Sequence, residues 1–437
     1  MELSIKNIGK IESADIQLDG ITVICGENNT GKSTVGKVLF CVFNSCYNMD
    51  SNISSQINFK LMYNIELIIR NAARNKIFHN SESTVDVINE KLFDFNSKEF
   101  IKFITCLSDN KEIGVKQVLD FLSIHLNSYF KGSIIELYEV SEKIYDIINE
   151  TKNLPIEPFQ KSIVKNHFNI VFSNQIININ NEEANILMKI KNNTFKVKFH
   201  KTKNIDLLFN FDFTNHAIFI DSPYKYKVNI MDWNETNQYS RNTLNDLAES
   251  YFKNENSESI DIDRTIRESK LAQVIEVLNK AIKGRFKQDS LRMGRDIGFE
   301  FEGFSSPINT PNLSTGVKAL LLFRTICESG KLSEKDVLIL DEPEIHIHPE
   351  WQLIYAEAIV LLQKEFDLTV LITTHSPYFL EAIEVYGKKH SREKVLNYYL
   401  AENTLNGYSI MEDVTGKLNK IYEKMYNPFK CLEEEEI

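Results

Sequence analysis

One junction constrains this chain more than any other feature: the apolar run Ile21-Thr22-Val23-Ile24-Cys25 leads directly into Gly26-Glu27-Asn28-Asn29-Thr30-Gly31-Lys32-Ser33. The run reads as a short buried strand. The segment after it has the spacing GxxxxGK[ST], and a helical pattern follows from about Ser33 to Phe43. Strand, glycine-bearing loop and helix in immediate succession make a cradle for phosphate. Glycines let the backbone wrap an anion, and a helix start offers free N–H groups and the positive end of its dipole. Gly26, Asn28, Asn29, Thr30, Gly31 and Thr34 are candidate contacts to that anion. Lys32 is placed to reach the β- and γ-phosphates of a nucleotide, and Ser33 to bind Mg²⁺ through its hydroxyl. The bland reading, a glycine turn that happens to precede a helix, does not account for the strand in front of it.

A second strand carries acids at its end. Val337-Leu338-Ile339-Leu340 is apolar and runs into Asp341-Glu342. An unpartnered carboxylate is costly to desolvate, so this pattern asks for a reason. Asp341 is placed to hold Mg²⁺ through water, and Glu342 to orient and deprotonate an attacking water. A third apolar strand, Leu371-Ile372-Thr373-Thr374, ends in His375. A histidine there is either a polar strand terminus or a sensor of the γ-phosphate. Asn312-Leu313-Ser314-Thr315-Gly316-Val317-Lys318 reads on its own as a helix start capped by Ser314 or Thr315.

The set and its order resemble the ABC class of P-loop ATPases, in the SMC/RecF/OLD-like branch. Leu313-Ser314-Thr315-Gly316-Val317 resembles the LSGGQ signature of that class, with Thr315 and Val317 departing from it. Asp341-Glu342-Pro343-Glu344-Ile345-His346-Ile347-His348-Pro349 resembles the EPEIHLHP loop of RecF-like and OLD-type ATPases, and Thr373-Thr374-His375-Ser376-Pro377 their THSP motif. The resemblance implies an α/β P-loop NTPase fold: an ABC-ATPase-like head with an antiparallel β lobe, a parallel-sheet core and a helical insertion. It implies ATP and Mg²⁺ as ligands, Glu342 as general base and His375 as switch. It also implies a homodimer through composite ATP sites, in which Ser314 and Gly316 of one copy face Gly31, Lys32 and Ser33 of the other. The loop Glu344–His348 would then lie at the dimer interface. No glutamine corresponds to the Q-loop; its place follows the strand Ala217–Ile220, near Asp221 or Ser222. A metal pair at His346 and His348 is the alternative for that loop, although no further ligands stand nearby in sequence.

Within that frame residues 1–43 are expected to be the first part of the head, 44–160 a helical insertion, and 161–437 the rest of the head. Helical patterns are clearest over Gly114–Phe130 and Ser133–Glu150. Period-two patterning is expected over 168 to 221, with two strands in Ile186–Phe199 about a turn at Lys191-Asn192-Asn193. Asp19-Gly20 is a hairpin signal. Residues 241 to 283 read as helical and polar, and 284 to 303 as two short strands around an Arg/Lys-rich turn. Helix and strand alternate from Leu313 to Glu384, as in a parallel sheet. Strands Leu396–Ala401 and Tyr408–Glu412 and a short helix near Leu418–Met425 close the chain. Glu433–Glu436 reads as a solvated end.

Bulk properties narrow the function. No apolar run nears the roughly 20 residues that cross a bilayer, and the N-terminus lacks a signal-peptide layout, so a cytoplasmic protein is expected. The six cysteines form no CxxC pair and read as reduced thiols. A net charge of −11 argues against non-specific coating of nucleic acid but leaves a local basic groove open. Residues 376–437 are fewer than a TOPRIM nuclease needs, so any cleavage is expected from a separate effector. The first expectation is therefore an ATPase subunit controlling a nuclease partner, resembling Septu-type anti-phage systems. The alternatives are an ATP-dependent DNA clamp and an ATP-binding scaffold that barely turns over.

Overall fold

The computed structural model describes residues 1–74, 114–126, 134–210, 213–223, 225–228, 243–244, 246–248, 262–288 and 297–435. In chain order these form β1 (Glu2–Ile8), β2 (Ile11–Gln17), β3 (Ile21–Gly26), α1 (Lys32–Cys46), α2 (Met49–Arg74), α3 (Val115–Leu126), α4 (Ile134–Lys152) and α5 (Glu157–Val171). Strands β4 (Glu183–Ile190), β5 (Asn193–His200), β6 (Ile205–Phe209), β7 (Ala217–Ser222) and β8 (Lys225–Lys227) follow, then α6 (Ile262–Leu278) and strands β9 (Gly284–Gln288), β10 (Ile297–Phe301) and β11 (Ile308–Asn309). The last part holds α7 (Thr315–Glu328), β12 (Val337–Asp341), α8 (Pro349–Phe366), β13 (Thr369–Thr374), α9 (Pro377–Lys389), β14 (Leu396–Asn403), β15 (Ser409–Asp413) and α10 (Asn419–Glu435).

The chain divides into two compact units. One is residues 1–47 with 161–437, and the other is 48–160. In the first, twelve strands form one mixed sheet in the order β6-β5-β4-β1-β2-β15-β14-β3-β13-β12-β7-β8. Strands β14, β3, β13, β12 and β7 pair in parallel. Their residues are buried almost throughout, as both faces of a parallel sheet require. Strands β6, β5, β4, β1 and β2 pair antiparallel. Here alternate side chains are buried, the signature of a sheet covered on one face. Phe168 of α5 packs on Phe199 of β5, ring centroids 4.9 Å apart. Strands β11, β10 and β9 form a separate small sheet.

In the second unit α2, α3 and α4 share an aliphatic core of Leu61, Ile65, Ile69, Val118, Leu122, Leu137, Val140, Ile144 and Ile148. Their i, i+3, i+4 spacing is what places them on facing helix stripes.

Several expectations are corrected. Asp19-Gly20 does not close a hairpin, because β14 and β15 lie between β2 and β3. Its carbonyls instead accept bonds from Asn397 Nδ2 at 3.0 Å and from the Val370 N–H at 2.7 Å. Period-two structure does not begin at 168, since Val164, Phe168 and Val171 are buried at helical spacing on α5. The closing helix is longer than Leu418–Met425, and Glu433–Glu435 continue it. Residues 249–261 and the Arg/Lys-rich turn at 289–296 lie outside the described residues.

Candidate functional site

Loops at the carboxyl ends of the parallel strands build the site, the usual place for a ligand in an open α/β sheet. Strand β3 ends at Gly26, the loop Glu27–Thr30 follows, and Gly31 caps α1 with φ 78°. A Cβ on Gly26 would lie 2.6 Å from the Ala401 carbonyl of β14, and one on Gly31 3.0 Å from Ile11. Glycine is therefore demanded at both ends of the loop by its neighbours as well as by its own backbone. Thr30 Oγ1 donates to Glu27 O at 2.8 Å. Lys32 is buried, and its ammonium donates to Gly26 O at 3.1 Å and Glu27 O at 2.8 Å. Burial pulls its pKa down, against the opposing pull of Glu342 and Asp341.

The neighbouring strands bring the acids. Register pairs Asp341 with Thr373, and Thr373 Oγ1 donates to Asp341 Oδ1 at 2.5 Å. Ser33, on the first turn of α1, lines the same cleft as Asp341 at the end of β12. Burial raises the Asp341 pKa despite the Thr373 donor. Glu342 has φ 52°, and its N–H donates to Thr373 O at 3.0 Å. His375 Nε2 lies 2.7 Å from Glu342 Oε1, at an angle that leaves it without a directed hydrogen bond. Burial and the nearby Lys32 ammonium lower the His375 pKa, which favours the uncharged ring. Ser33, Asp341 and Glu342 line a cleft of about 330 Å³ with Asp221 and Ser222 at the end of β7 and Pro223 after it.

This donor set fits a nucleoside triphosphate with Mg²⁺. The glycine cradle leaves no room for side chains, and the ammonium of Lys32 satisfies itself on carbonyls of its own loop. Burial raises the pKa of two carboxyl groups near that lysine, half-buried Asp341 and buried Glu344. A divalent ion held by Ser33 and Asp341 would add positive charge where the carboxylate is desolvated.

Ser314 and Gly316 are not brought to this cleft. Ser314 caps α7, its Oγ accepting from the Val317 N–H at 3.4 Å. Ser314, Thr315 and Gly316 line a separate opening with His346, His348 and Trp351. His346 lines both cavities. A Cβ on Gly316 would lie 2.7 Å from the His346 carbonyl, so the backbone after β12 packs directly on the start of α7. His348 caps α8, accepting at Nδ1 from the Glu350 N–H at 3.4 Å. Among the described residues no three His, Cys, Asp or Glu side chains gather as a metal site.

Within the loop Glu344–His348, Ile345, His346 and His348 are exposed and Glu344 turns inward. Its side chain is 6% exposed, and Oε1 accepts from Thr374 Oγ1 at 2.5 Å, the His375 N–H at 2.9 Å and the Ser376 N–H at 3.3 Å. The sequence reading named neither Glu344 nor Thr373 as site residues. A carboxylate three residues after a buried acidic strand end was the available signal.

A family model for the AAA ATPase domain matches residues 1–380. Among solved structures, an Smc head bound to the C-winged helix domain of ScpA is 12% identical with a TM-score of 0.43, covering 96% of this chain and 98% of that one. The SMC head domain from Thermotoga maritima is 12% identical with a TM-score of 0.34, covering 94% and 98%. An Smc head with an extended coiled coil from Pyrococcus furiosus is 10% identical with a TM-score of 0.39, covering 98% and 99%. Likenesses this distant carry no argument about ligand or partner. The family match is another matter: it takes in the phosphate loop, the strand-end acids and His375, and the chain belongs to the AAA ATPase domain family.

Proposed function

We propose that the chain binds ATP with Mg²⁺ at the phosphate loop and hydrolyses it. The observation that carries this is the convergence of Lys32, Ser33, Asp341, Glu342 and His375 at adjoining strand ends, with Ser33, Asp341 and Glu342 lining one cleft and His375 against Glu342. Lys32 would exchange the carbonyls of Gly26 and Glu27 for phosphate oxygens. The N–H groups at the start of α1 would face the same anion, and Thr34, whose own N–H is given to Gly31 O at 3.0 Å, would serve through its hydroxyl. Ser33 and Asp341 would hold Mg²⁺, which offsets charge on the phosphates. Glu342 takes the proton of the attacking water. His375 carries one N–H when uncharged and can donate it to the γ-phosphate.

The site works as a composite of two copies. Ser314 and Gly316 lie apart from the phosphate loop of their own chain, on the far side of His346, where a partner's nucleotide could meet them. Dimerisation on ATP would gate a separate effector, a nuclease, in anti-phage defence of the Septu type. The sequence resemblance motivates this last step. The unit of residues 48–160 suits a docking role, since Phe59, Tyr63 and Leu67 of α2 are exposed four residues apart on one helix face.

Native mass of the full chain with and without Mg-ATP tests the core of the reading. Glu342→Gln should bind ATP, accumulate a dimer and release no phosphate. A mass that ignores ATP in both chains, with the apo form monomeric, would remove the composite site. Phage plating on cells carrying the gene with its neighbours, against Lys32→Ala, tests the defence role; equal plating rejects it.

A further inference from the structure

We propose that Glu344 is a positioning residue that locks the His375 turn to the loop after β12, and that Gln352 extends the lock to the backbone behind α7. The proposal rests on the hydrolytic reading above and assigns no contact with nucleotide to either residue.

The geometry is continuous. Glu344 Oε1 gathers three donors from the turn after β13: Thr374 Oγ1, the His375 N–H and the Ser376 N–H. The His375 main chain is thereby fixed from a residue two beyond Glu342, the group its ring contacts. Ser376 Oγ donates to Gln352 Oε1 at 2.7 Å, and accepts from the Phe379 N–H at 3.2 Å as the cap of α9. Gln352 Nε2 donates to Ile347 O at 3.0 Å. The Ile347 N–H returns to Glu344 O at 3.0 Å, closing the circuit. The carbonyl one residue earlier, His346 O, is the one on which Gly316 packs. Any shift of the His375 turn is therefore passed to the surface that carries Ser314.

Burial makes this circuit more than filler. Glu344 and Gln352 are 6% and 8% exposed, and Glu344 Oε2 is buried without a partner among the described residues. A carboxyl group kept in such surroundings is destabilising unless its bonded oxygen does something an aliphatic side chain could not. Three converging donors at one oxygen are that function. They fix the turn in a single place, as a ring fixed by one contact to Glu342 could not.

The test uses the full chain with carbon-13-labelled histidine, assigning the His375 ring resonance from its loss in His375→Gln. In the nucleotide-free protein Glu344→Ala should shift and broaden that resonance. Glu344→Gln, whose amide oxygen can accept the same three bonds, should leave it in place. In ATP hydrolysis Glu344→Ala should lower kcat roughly tenfold with KM little changed, while Glu344→Gln stays within about threefold, a split typical of an orienting partner. An unmoved resonance in Glu344→Ala, or equal disturbance by Gln and Ala, overturns the proposal. If Glu344→Ala no longer melts cooperatively, Gln352→Met decides instead. It should move the same resonance, and an unmoved one rejects the lock. Should the resonance respond as stated while Glu342→Gln hydrolyses ATP at the wild-type rate, the lock stands and the role given to Glu342 falls.

Discussion

The two units of the chain bury polar groups in opposite ways. In residues 48–160 the described buried polar side chains are Ser141 and Thr151, and each hydroxyl donates one turn back along its own helix, to Leu137 O and Ile147 O. Everything else in that core is aliphatic. In the other unit Lys32, Glu344, Gln352, Thr373 and Thr374 are buried together where the parallel strands end. Apolar contacts stabilise the first arrangement and are interchangeable at similar volume. The second is held against a desolvation cost, and each group in it is fixed by a named partner. One unit should therefore lose stability when altered without losing chemistry, and the other should do the reverse.

The sharpest break of that contrast would come from Glu342. Glu342→Gln is expected to lower ATP turnover about 10³-fold, roughly 4 kcal/mol of transition-state stabilisation, with nucleotide affinity and melting temperature near wild type. Phosphate release and a nucleotide titration check it. Turnover within tenfold of wild type would mean the strand-end acids are structural, as the helical core is.

Next in size is the opposite experiment. Ile144→Ala and Leu122→Ala remove aliphatic volume from the helical unit and should destabilise it by about 3 kcal/mol each in denaturant unfolding. Hydrolysis per folded molecule should not change. A matching fall in kcat would show that the helical unit acts on the ATP site, and the division drawn here would fail.

Gly316→Ala comes third. The added methyl meets the His346 carbonyl, and moving packed backbone to relieve it costs about 1–3 kcal/mol. Ser123→Ala on the helical unit, where the hydroxyl donates only to Asp120 O on an exposed face, should be close to neutral. Equal melting temperatures for these two variants would remove the close packing of α7 against the loop after β12.

The same contrast explains what the sequence could be read for. The phosphate loop, Asp341-Glu342 and His375 are legible because strand, loop and helix are contiguous there, and local spacing carries the whole meaning. Lys191-Asn192 is legible for the same reason: β4 and β5 pair directly across it. Asp19-Gly20 misleads because its partners, Asn397 and Val370, are more than 300 residues away, and nothing local distinguishes a turn between neighbours from one that spans two inserted strands. The position of Glu344 is hidden in a similar way. Its donors lie 30 to 32 residues on, and only the pairing of β12 with β13 brings them to one oxygen. The helical unit is legible as helix, by periodicity, and as nothing more, because aliphatic cores carry no chemistry to read.

The smallest effect concerns pH, and it separates the units by melting temperature alone. Asp341 and Glu344 have folded pKa values raised above 3.8 and 4.5 by burial. A raised carboxyl pKa means the folded chain holds its proton more tightly than the unfolded one. That favours folding at low pH, and the benefit is lost as pH climbs from the unfolded value through the folded one. At pH 7 both groups therefore oppose folding of the nucleotide-free chain, and Asp341→Asn should raise its melting temperature by a few degrees. His375 has the opposite sign: its folded pKa lies below 6.5, so the unfolded chain takes up a proton first, and stability falls as pH drops below 6.5 toward the folded value. Removing the ring in His375→Gln should flatten that acid slope. Leu122→Ala removes no titrating group, so its offset in melting temperature should stay constant from pH 5 to 8. An Asp341→Asn chain that melts below wild type at pH 7 would mean the carboxylate is already compensated in the empty site. The donor from Thr373 would then outweigh its burial, and the demand for a cation there would lose its physical basis.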